Sequence, residues 1–214
     1  PPDFTNRTIF PSFASCPEVA GPDPSSSSSV SSALPTDWYL LAQVKDDMTI
    51  NKPTLVLGDR DDSPFALVFN GLERDGVDFK ARGLKKGATA VIPRAKRTPP
   101  RDETKRGFVS VEREHAGEVR GIPGPLKRVL EVGEGLRAWS NGGEGGEVCE
   151  SCWEERGEGG GLLKCMGCGV VRYCSKVSFL DGPTCGCGDC QVKGWNAGHK
   201  TDCKIIKAIQ AVWE

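Results

Sequence analysis

Eight potential metal ligands lie between residues 149 and 203 of this 214-residue chain. They are Cys149, Cys152, Cys165, Cys168, Cys174, Cys190, His199 and Cys203. Two of the spacings are Cys-x-x-Cys, which lets both thiolates of a tight turn bind one ion. Structural zinc takes four thiolate or imidazole ligands, so eight ligands predict two zinc ions. Because no coordination position is left open, both ions are expected to be structural and not catalytic.

The last ligands predict a helix. His199 and Cys203 are four residues apart, a spacing that places two side chains on one helical face. We therefore expect a helix from about Trp195 that presents both to one ion. Residues 204–214 continue the pattern as a C-terminal helix, with Ile205 and Ile209 on one apolar stripe.

Disulfide bonds are the alternative for these cysteines. Ten cysteines would permit five bridges in a secreted domain. The two Cys-x-x-Cys pairs and the His-x3-Cys step favour metal binding. Zinc–thiolate sites need reduced cysteines, which predicts an intracellular protein, in the nucleus or the cytoplasm. No apolar run approaches the roughly 20 residues of a membrane-spanning helix, so no membrane association is expected. Cys16, outside the group, is expected to be a free thiol.

The order of these residues resembles a known zinc finger. The segments Tyr173-Cys174-Ser175 and Cys190-Gln191, followed by Trp195, His199-Lys200 and Cys203, resemble the MYND zinc finger over residues 149–203. The resemblance implies two interleaved, cross-braced zinc sites. It implies that one site is formed by Cys149, Cys152, Cys174 and Cys190. It implies that the other is formed by Cys165, Cys168, His199 and Cys203.

The chain departs from the MYND pattern between two ligands. Fifteen residues separate Cys174 from Cys190, where the family usually has three. This insert carries Cys185 and Cys187, and either is an alternative ligand to Cys190. We favour Cys190 because Gln191 follows it, as in the family order.

The resemblance also implies a function. MYND fingers serve as protein-interaction modules that dock short proline-containing peptides, often in transcriptional or chromatin complexes. The docking residues implied here are Gln191 and Trp195. For Trp195, packing beneath the zinc sites is an equally good interpretation. We therefore expect a zinc-binding, non-enzymatic scaffold for other proteins, with a role in transcriptional regulation.

Composition divides the rest of the chain. Residues 1–34 are rich in proline and serine, which predicts a disordered tail. Residues 140–148 are rich in glycine, which predicts a flexible linker to the finger. The block 35–139 between them is expected to be a separate domain.

Five short strands are predicted in this block. They are expected at Trp38–Val44, Thr54–Leu57, Phe65–Phe69, Ala88–Ile92 and Phe108–Val111. A short helix or helical turn is predicted within 75–87, and another helix over Gly124–Val132. This order resembles the OB-fold, a five-stranded, partly open β-barrel. The fold class expected is thus a small OB-like β-barrel followed by a two-zinc finger and a C-terminal helix. Another small barrel or a sandwich is the alternative.

Basic residues concentrate in one part of the block. Between Lys80 and Arg106 there are ten lysines and arginines against two acidic residues, although the whole chain has a net charge of −1. The OB resemblance implies that the loop after the fourth strand grips oligonucleotides. A second candidate function is therefore single-stranded nucleic-acid binding. The candidate residues are Arg94, Lys96, Arg97 and Arg101. The alternative to a binding site is a basic surface that is simply exposed to solvent.

The phenylalanines of the block admit two interpretations. Phe65, Phe69 and Phe108 would serve a nucleic-acid site as stacking platforms. Their positions on predicted strands favour the core instead, because alternate strand residues point inward. No catalytic motif accompanies them: the chain has no Walker loop and no nucleophile elbow. His115 is the only histidine outside the finger and is expected to be a solvated surface residue. We therefore predict no enzymatic activity.

Overall fold

The structure is a computed structural model that describes residues 1–19, 37–99, 107–140, 147–156, 162–174 and 190–213. The chain divides into two compact units. One unit is Asp3–Leu130, and the other is Glu131–Glu214 with Pro1–Pro2. The predicted linker at 140–148 falls largely on residues outside the described part, and the insert 175–189 with Cys185 and Cys187 lies wholly outside it.

The first unit is built on one mixed sheet of seven strands. The strands are β1 (Tyr39–Asp47), β2 (Thr54–Asp59), β3 (Pro64–Phe69), β4 (Thr89–Pro93), β5 (Arg97–Thr98), β6 (Phe108–Val111) and β7 (Arg120–Ile122). Their order in the sheet is β5-β6-β3-β2-β1-β4-β7. β3 and β6 pair in parallel, and every other neighbouring pair is antiparallel.

The core lies on one face of this sheet. Along β3, Phe65, Leu67 and Phe69 are fully buried, while the residues between them are half-buried. This period of two is the pleat of a β-strand. Leu55 and Leu57 of β2 join the same cluster. The core interpretation of Phe65 and Phe69 is therefore confirmed, and they are not available as stacking platforms.

The predicted barrel is not closed, and this part of the prediction is wrong. The hydrogen-bonded order ends at β5 on one side and β7 on the other. The extended backbone of β4 ends before Arg94, whose φ of 49° lies in the left-handed region. This turn ends the extended backbone, so within the described residues no ladder joins β4 to β6. All five predicted strands occur, Phe108–Val111 with the predicted ends and the other four with shifted ends, and β5 and β7 were not predicted.

Residues 3–19 are packed and not disordered, contrary to the sequence prediction. Phe13 stacks on Phe65 with ring centroids 4.5 Å apart and planes within 6°. The backbone N–H of Phe13 donates to Oδ2 of Asp59 at 2.7 Å. Phe4 and Phe10 are also buried. Proline and serine dominate the composition of this end, but its phenylalanines supply enough apolar surface to order it. Residues 20–34 of the predicted tail lie outside the described part.

Of the short helix or helical turn predicted within 75–87, a helical turn forms, in which the N–H of Arg82 donates to the carbonyl of Asp78 at 3.2 Å, and no regular helix follows. This segment forms successive turns, with Gly83 and Gly87 at φ of 72° and 84°, values that end helical backbone. A short 3-10 turn lies at Phe13–Ser15, and a 3-10 helix lies at Arg113–Glu118. The helix predicted at Gly124–Val132 is α1 (Leu126–Ser140). α1 buries one stripe of residues at helical spacing, namely Leu126, Val129, Val132 and Leu136.

The second unit contains two short hairpins and a helical C-terminal end. The strands are β8 (Glu147–Val148), β9 (Glu155–Arg156), β10 (Leu162–Lys164) and β11 (Arg172–Cys174). β8 pairs with β9, and β10 pairs with β11. The helices are α2 (Cys190–Gly194), a π-helical segment (Trp195–His199) and α3 (Lys200–Trp213).

The C-terminal helix has the predicted apolar stripe. Ile205 and Ile209 of α3 are buried, together with Ile206. The helical run begins five residues earlier than predicted, at Cys190, and bends at Gly198, where φ is 150°. None of the helices in the described part of the chain is both long and apolar enough to cross a membrane.

Candidate metal centre

Two clusters of potential metal ligands lie in the second unit. In each cluster the ligand atoms all lie within 4.8 Å of one another. The first cluster, here called site 1, consists of Cys149, Cys152, Cys174 and Cys190. The second, site 2, consists of Cys165, Cys168, His199 and Cys203. This grouping coincides with the one that the MYND resemblance implies.

The distances fit a metal ion and exclude disulfide bonds. Sγ of Cys165 and Sγ of Cys203 are 3.9 Å apart in site 2, and Sγ of Cys168 is 3.7 Å from Nε2 of His199. A disulfide would need about 2.05 Å between sulfurs. Tetrahedral zinc with Zn–S bonds of about 2.3 Å separates its sulfur ligands by about 3.8 Å. The four thiolates of site 1, and the three thiolates with one imidazole of site 2, therefore fit zinc in both number and chemistry.

A tight turn at residues 165–169 presents the first two ligands of site 2. It follows β10, and the N–H of Cys165 donates to the carbonyl of Val171 at 2.7 Å. The N–H of Gly169 donates to the carbonyl of Cys165 at 2.8 Å, and its φ of 71° closes the turn. The N–H of Gly167 points at Sγ of Cys165, 3.4 Å away. Such N–H donors stabilise a thiolate.

A matching turn at residues 149–153 serves site 1. The N–H of Trp153 donates to the carbonyl of Cys149 at 2.8 Å. Trp153 has a φ of 61°, so a tryptophan occupies the left-handed position that Gly169 takes in the other turn. β11 then brings Cys174 to the cluster, with its N–H 3.4 Å from Sγ of Cys149. Sγ of Cys174 lies 3.6 Å from Sγ of Cys152.

The helical run supplies the remaining ligands of both sites. Cys190 is the first residue of α2 and belongs to site 1. His199 ends the π-helical segment, and Cys203 lies in the first turn of α3. Both belong to site 2, in agreement with their predicted position on one face. Our choice of Cys190 over Cys185 and Cys187 agrees with this grouping, although those two cysteines are not among the described residues.

The close packing of these thiols shifts their pKa values. Burial, together with the neighbouring thiols, raises the pKa of Cys174 to about 12, that of Cys190 to about 11 and that of Cys203 to about 12. Burial also acts to raise the pKa of Cys149, but backbone N–H donors outweigh it and lower the value to about 7. A bound cation is the usual compensation for several thiolates in one small space.

The imidazole of His199 is prepared for metal binding. Burial lowers its pKa, which favours the neutral ring with a free lone pair. The ring of Tyr173 meets it edge to face at 5.8 Å between centroids, and the ring of Trp195 does so at 5.9 Å. Both aromatic rings therefore help to fix its orientation, as expected of residues that contact a metal ligand.

The supporting roles of two residues were not predicted from the sequence. Tyr173 is buried, and its hydroxyl has no hydrogen-bond partner among the residues that the structure describes. Gly194 of α2 lies against its ring, where a Cβ atom would overlap Cε1 and lie 3.0 Å from Cζ. The only feature of the sequence that indicates this contact is the glycine at position 194, inside a short helix.

The predicted partner-binding residues lie on or beside α2. Gln191 is exposed, and Trp195 retains 39% of its surface accessible. Trp195 thus contacts the candidate ligand His199 and also faces solvent. Other apolar side chains of this unit are exposed as well, among them Val192, Trp153 and Met166.

The predicted nucleic-acid residues do not form a free cationic face. Arg94 forms ion pairs with Glu118 and, at 3.8 Å, with Asp37. Arg97 pairs with Glu18 at 2.6 Å and is only partly exposed. Lys96 is exposed, Arg101 is not among the described residues, and Phe108 is half-buried. His115 is exposed, as predicted, with Nδ1 2.7 Å from Oε1 of Glu118.

Comparison with protein-family models finds no match for this chain, and comparison with curated proteins finds none either.

Proposed function

We propose that this chain is a zinc-dependent, non-enzymatic scaffold that binds other proteins through a MYND-type finger. The finger would hold two structural zinc ions, one in each of sites 1 and 2. Its ligands would be short, proline-containing peptides of partner proteins.

The interleaving of the two clusters carries this proposal. Site 1 takes Cys149 and Cys152 from the first turn, and site 2 takes Cys165 and Cys168 from the second. β11 then returns to site 1 with Cys174 before the helical run completes both sites. Each ion would tie segments that are distant along the chain, so metal binding would contribute to the folding of this unit. This interleaving supports the proposal of a MYND-type cross-brace.

The ligand count supports a non-catalytic role. Four protein ligands in each cluster complete a tetrahedron, so bound zinc would have no position for water or substrate. The sulfur-rich donor sets are also those of structural zinc and not of hydrolytic sites. The expected contribution of the metal is therefore the folded surface around it.

The surface that we propose for docking is α2 with the residue that follows it. It offers the exposed amide of Gln191, the half-exposed side chain of Val192 and the indole of Trp195. Cys190 anchors one end and His199 the other, so two metal sites would hold this surface rigid. Aromatic side chains bind the preformed, extended conformation of proline-rich peptides at low entropic cost.

Titration of the zinc-loaded, 15N-labelled full chain with a panel of proline-containing peptides tests the proposal. Binding should shift the indole resonance of Trp195 and the amides of α2. Trp195→Ala should weaken binding at least about tenfold, as a buried aromatic anchor does, without changing zinc content. Lys204→Ala, an exposed substitution on α3, is the matched control. Peptides that shift no α2 resonance, or bind Trp195→Ala as well as wild type, would refute this docking surface.

Single-stranded nucleic-acid binding remains the second candidate, but no observation favours it. Arg94 and Arg97 have acidic partners, and Phe65 and Phe69 are in the core. Anisotropy of a labelled single-stranded oligonucleotide, titrated with the full chain at low and physiological salt, decides the matter. Micromolar affinity that falls steeply with salt would restore this candidate, and no binding at low salt would remove it.

A further inference from the structure

The solvent-facing side of α3 carries three lysines in one row. They are Lys200, Lys204 and Lys207, and each is exposed to solvent. At about 100° per residue of an α-helix, their side chains fall within about 60° of one another around the helix axis. Positions i, i+4 and i+7 form one stripe along a helix. These three residues are here called the lysine stripe.

The positive charge of the lysine stripe is not balanced by neighbouring acids. None of its ammonium groups forms an ion pair with another residue in the part of the chain that the structure describes. The helical run Cys190–Trp213 contains four lysines against one acidic residue, Asp202, a net charge of +3. Asp202 lies on the other side of α3 from the stripe. Its carboxylate is close to that of Glu150 there, and the two repel each other.

The lysine stripe does not stabilise α3 itself. Lys204 lies four residues after Lys200 and three residues before Lys207, so each pair places like charges side by side on the helix. Such pairs destabilise a helix, whereas a glutamate at one of the two positions would stabilise it. Packing does not need the lysines either, because α3 packs through its buried isoleucines. Neither helix stability nor packing therefore accounts for the stripe.

The lysine stripe begins where the proposed docking surface ends. The backbone N–H of Lys200 donates to the carbonyl of Trp195, so the first residue of the stripe lies one helical turn from the indole-bearing residue. The other docking residues, Gln191 and Val192, carry no charge. A ligand that lies along α2 would therefore reach the lysines as soon as it extends past Trp195.

The length of the lysine stripe matches a short stretch of extended peptide. From Lys200 to Lys207 the helix axis advances about 10 Å. A peptide in the polyproline II conformation advances about 3.1 Å per residue, so about three to four of its residues would cover the stripe. The negative charges that complement the stripe would therefore lie close to the proline-containing segment along the ligand chain.

We propose that the proline-containing partner of this finger carries an acidic flank that binds the lysine stripe. The inference rests on the proposed function, because the flank continues from a peptide that occupies α2. The proline segment would contact Trp195, and glutamates or aspartates of the flank would pair with the lysines. Charge complementarity of this kind contributes specificity and a faster association rate. A peptide is favoured over a nucleic acid because the uncharged groups of α2 would contact a peptide but would neutralise no phosphate.

Peptides with one core and flanks of different charge test this proposal on the zinc-loaded, 15N-labelled full chain. The core is a run of about six prolines, with about four glutamates, glutamines or lysines on each side. At low salt the glutamate-flanked peptide should bind at least about fivefold more tightly than the glutamine-flanked one, as expected for several exposed ion pairs. The lysine-flanked peptide should bind most weakly. Added salt should reduce these differences, and only the glutamate flanks should shift the amides of residues 200–207.

Substitution of the lysine stripe isolates its contribution. Replacing all three lysines with glutamine should weaken the glutamate-flanked peptide to the level of the glutamine-flanked one and leave the latter unchanged. The matched control replaces three exposed lysines outside the helical run with glutamine, and it should bind every peptide like the wild type. Its substitutions are Lys52→Gln, Lys85→Gln and Lys164→Gln. Lys204→Ala remains a neutral control for Trp195→Ala when the glutamine-flanked peptide is the ligand.

The outcomes separate this inference from the proposed function. If the glutamine- and glutamate-flanked peptides bind equally, the docking surface stands and the acidic flank is overturned. If no proline peptide shifts the α2 resonances, both are overturned. Equal binding of glutamate flanks on a glycine–serine core would overturn the link to α2. Tighter binding of a single-stranded oligothymidylate to the stripe would assign it to nucleic acid instead. A dimer in sedimentation that the triple substitution abolishes would assign it to a second copy of the chain.

Discussion

Gly194 lies directly against the ring of Tyr173, and any side chain at this position would require α2 or that ring to move. A Cβ atom at Gly194 would overlap Cε1 of Tyr173 and lie 3.0 Å from its hydroxyl oxygen. Tyr173 precedes the site 1 ligand Cys174 and packs edge to face on the site 2 ligand His199. The contact between a glycine and a tyrosine therefore supports both metal clusters at once.

Gly194→Ala should destabilise the second unit. An added methyl group in a tightly packed region costs about 1–3 kcal/mol because neighbours must move. The free energy of unfolding, measured with the zinc-loaded chain in urea, should fall by about that amount.

Gly135→Ala is the matched control for this substitution. Gly135 lies within α1, where a Cβ would meet Trp139 at an ordinary 3.8 Å. Its replacement should be neutral or stabilise the helix by up to about 1 kcal/mol. Equal effects of the two substitutions would contradict the contact with Tyr173.

Gly167→Ala should weaken metal binding at site 2 alone. A Cβ at Gly167 would lie 2.6 Å from Sγ of Cys203, so this sulfur would have to leave its place. We expect the affinity of site 2 for Co2+ to fall at least about tenfold, as it does when a group that orients a metal ligand is lost. Binding of Co2+ is followed by its thiolate charge-transfer absorption. Met166→Ala changes the neighbouring residue, which is 99% exposed, and should leave both sites unchanged. Loss of affinity at both sites, or at neither, would argue against this geometry.

Cys190→Ser should cost the chain one zinc ion, whereas Cys187→Ser should cost none. Cys190 lies in site 1 with three other thiols, and loss of one of four ligands opens the coordination shell. Cys187 is part of the insert between ligands. Zinc content by atomic emission, per chain of folded protein, distinguishes the two variants. If the results are reversed, Cys187 and not Cys190 is the ligand.

Phe13→Ala should strongly destabilise the first unit. Phe13 stacks on Phe65 and belongs to the main core cluster. Truncation of a buried phenylalanine costs about 3–5 kcal/mol, measured as the change in free energy of unfolding. Val19→Ala, in the same segment but 48% exposed, should cost little. A small effect of Phe13→Ala would mean that residues 3–19 contribute little to the fold.

The sequence predicted the local parts of the metal centre but not the grouping of its ligands. The two pairs of cysteines and the His199–Cys203 step are local spacings, so the turns and the helix that present them were predictable. Which distant ligands share an ion is a matter of tertiary structure. That grouping was supplied only by the resemblance to the MYND finger.

A partly open barrel was predicted and an open sheet was found, and the signal that was missed is local. Nothing in the sequence marks Arg94 as a left-handed residue, because glycine and not arginine is the usual signal. β5 and β7 have two and three residues, too few for an alternating pattern to show. The five longer strands alternate clearly or carry β-branched residues, and each was predicted.

The packing of residues 3–19 was missed because composition is an average. Proline and serine dominate residues 1–34, but Phe4, Phe10 and Phe13 are concentrated in the first half. A few aromatic residues, each with a partner on a nearby sheet, are enough to order a segment that is polar on average.

Native mass spectrometry of the full chain, purified in the presence of zinc, tests the central claim most directly. The account predicts two zinc ions per chain and reduced cysteines. It also predicts that Cys149→Ser and Cys165→Ser each lose one ion, from sites 1 and 2 respectively. A metal-free chain whose mass is lower by two hydrogens for every disulfide bond would contradict it. A single ion that both substitutions remove would contradict the interleaved arrangement of the two sites.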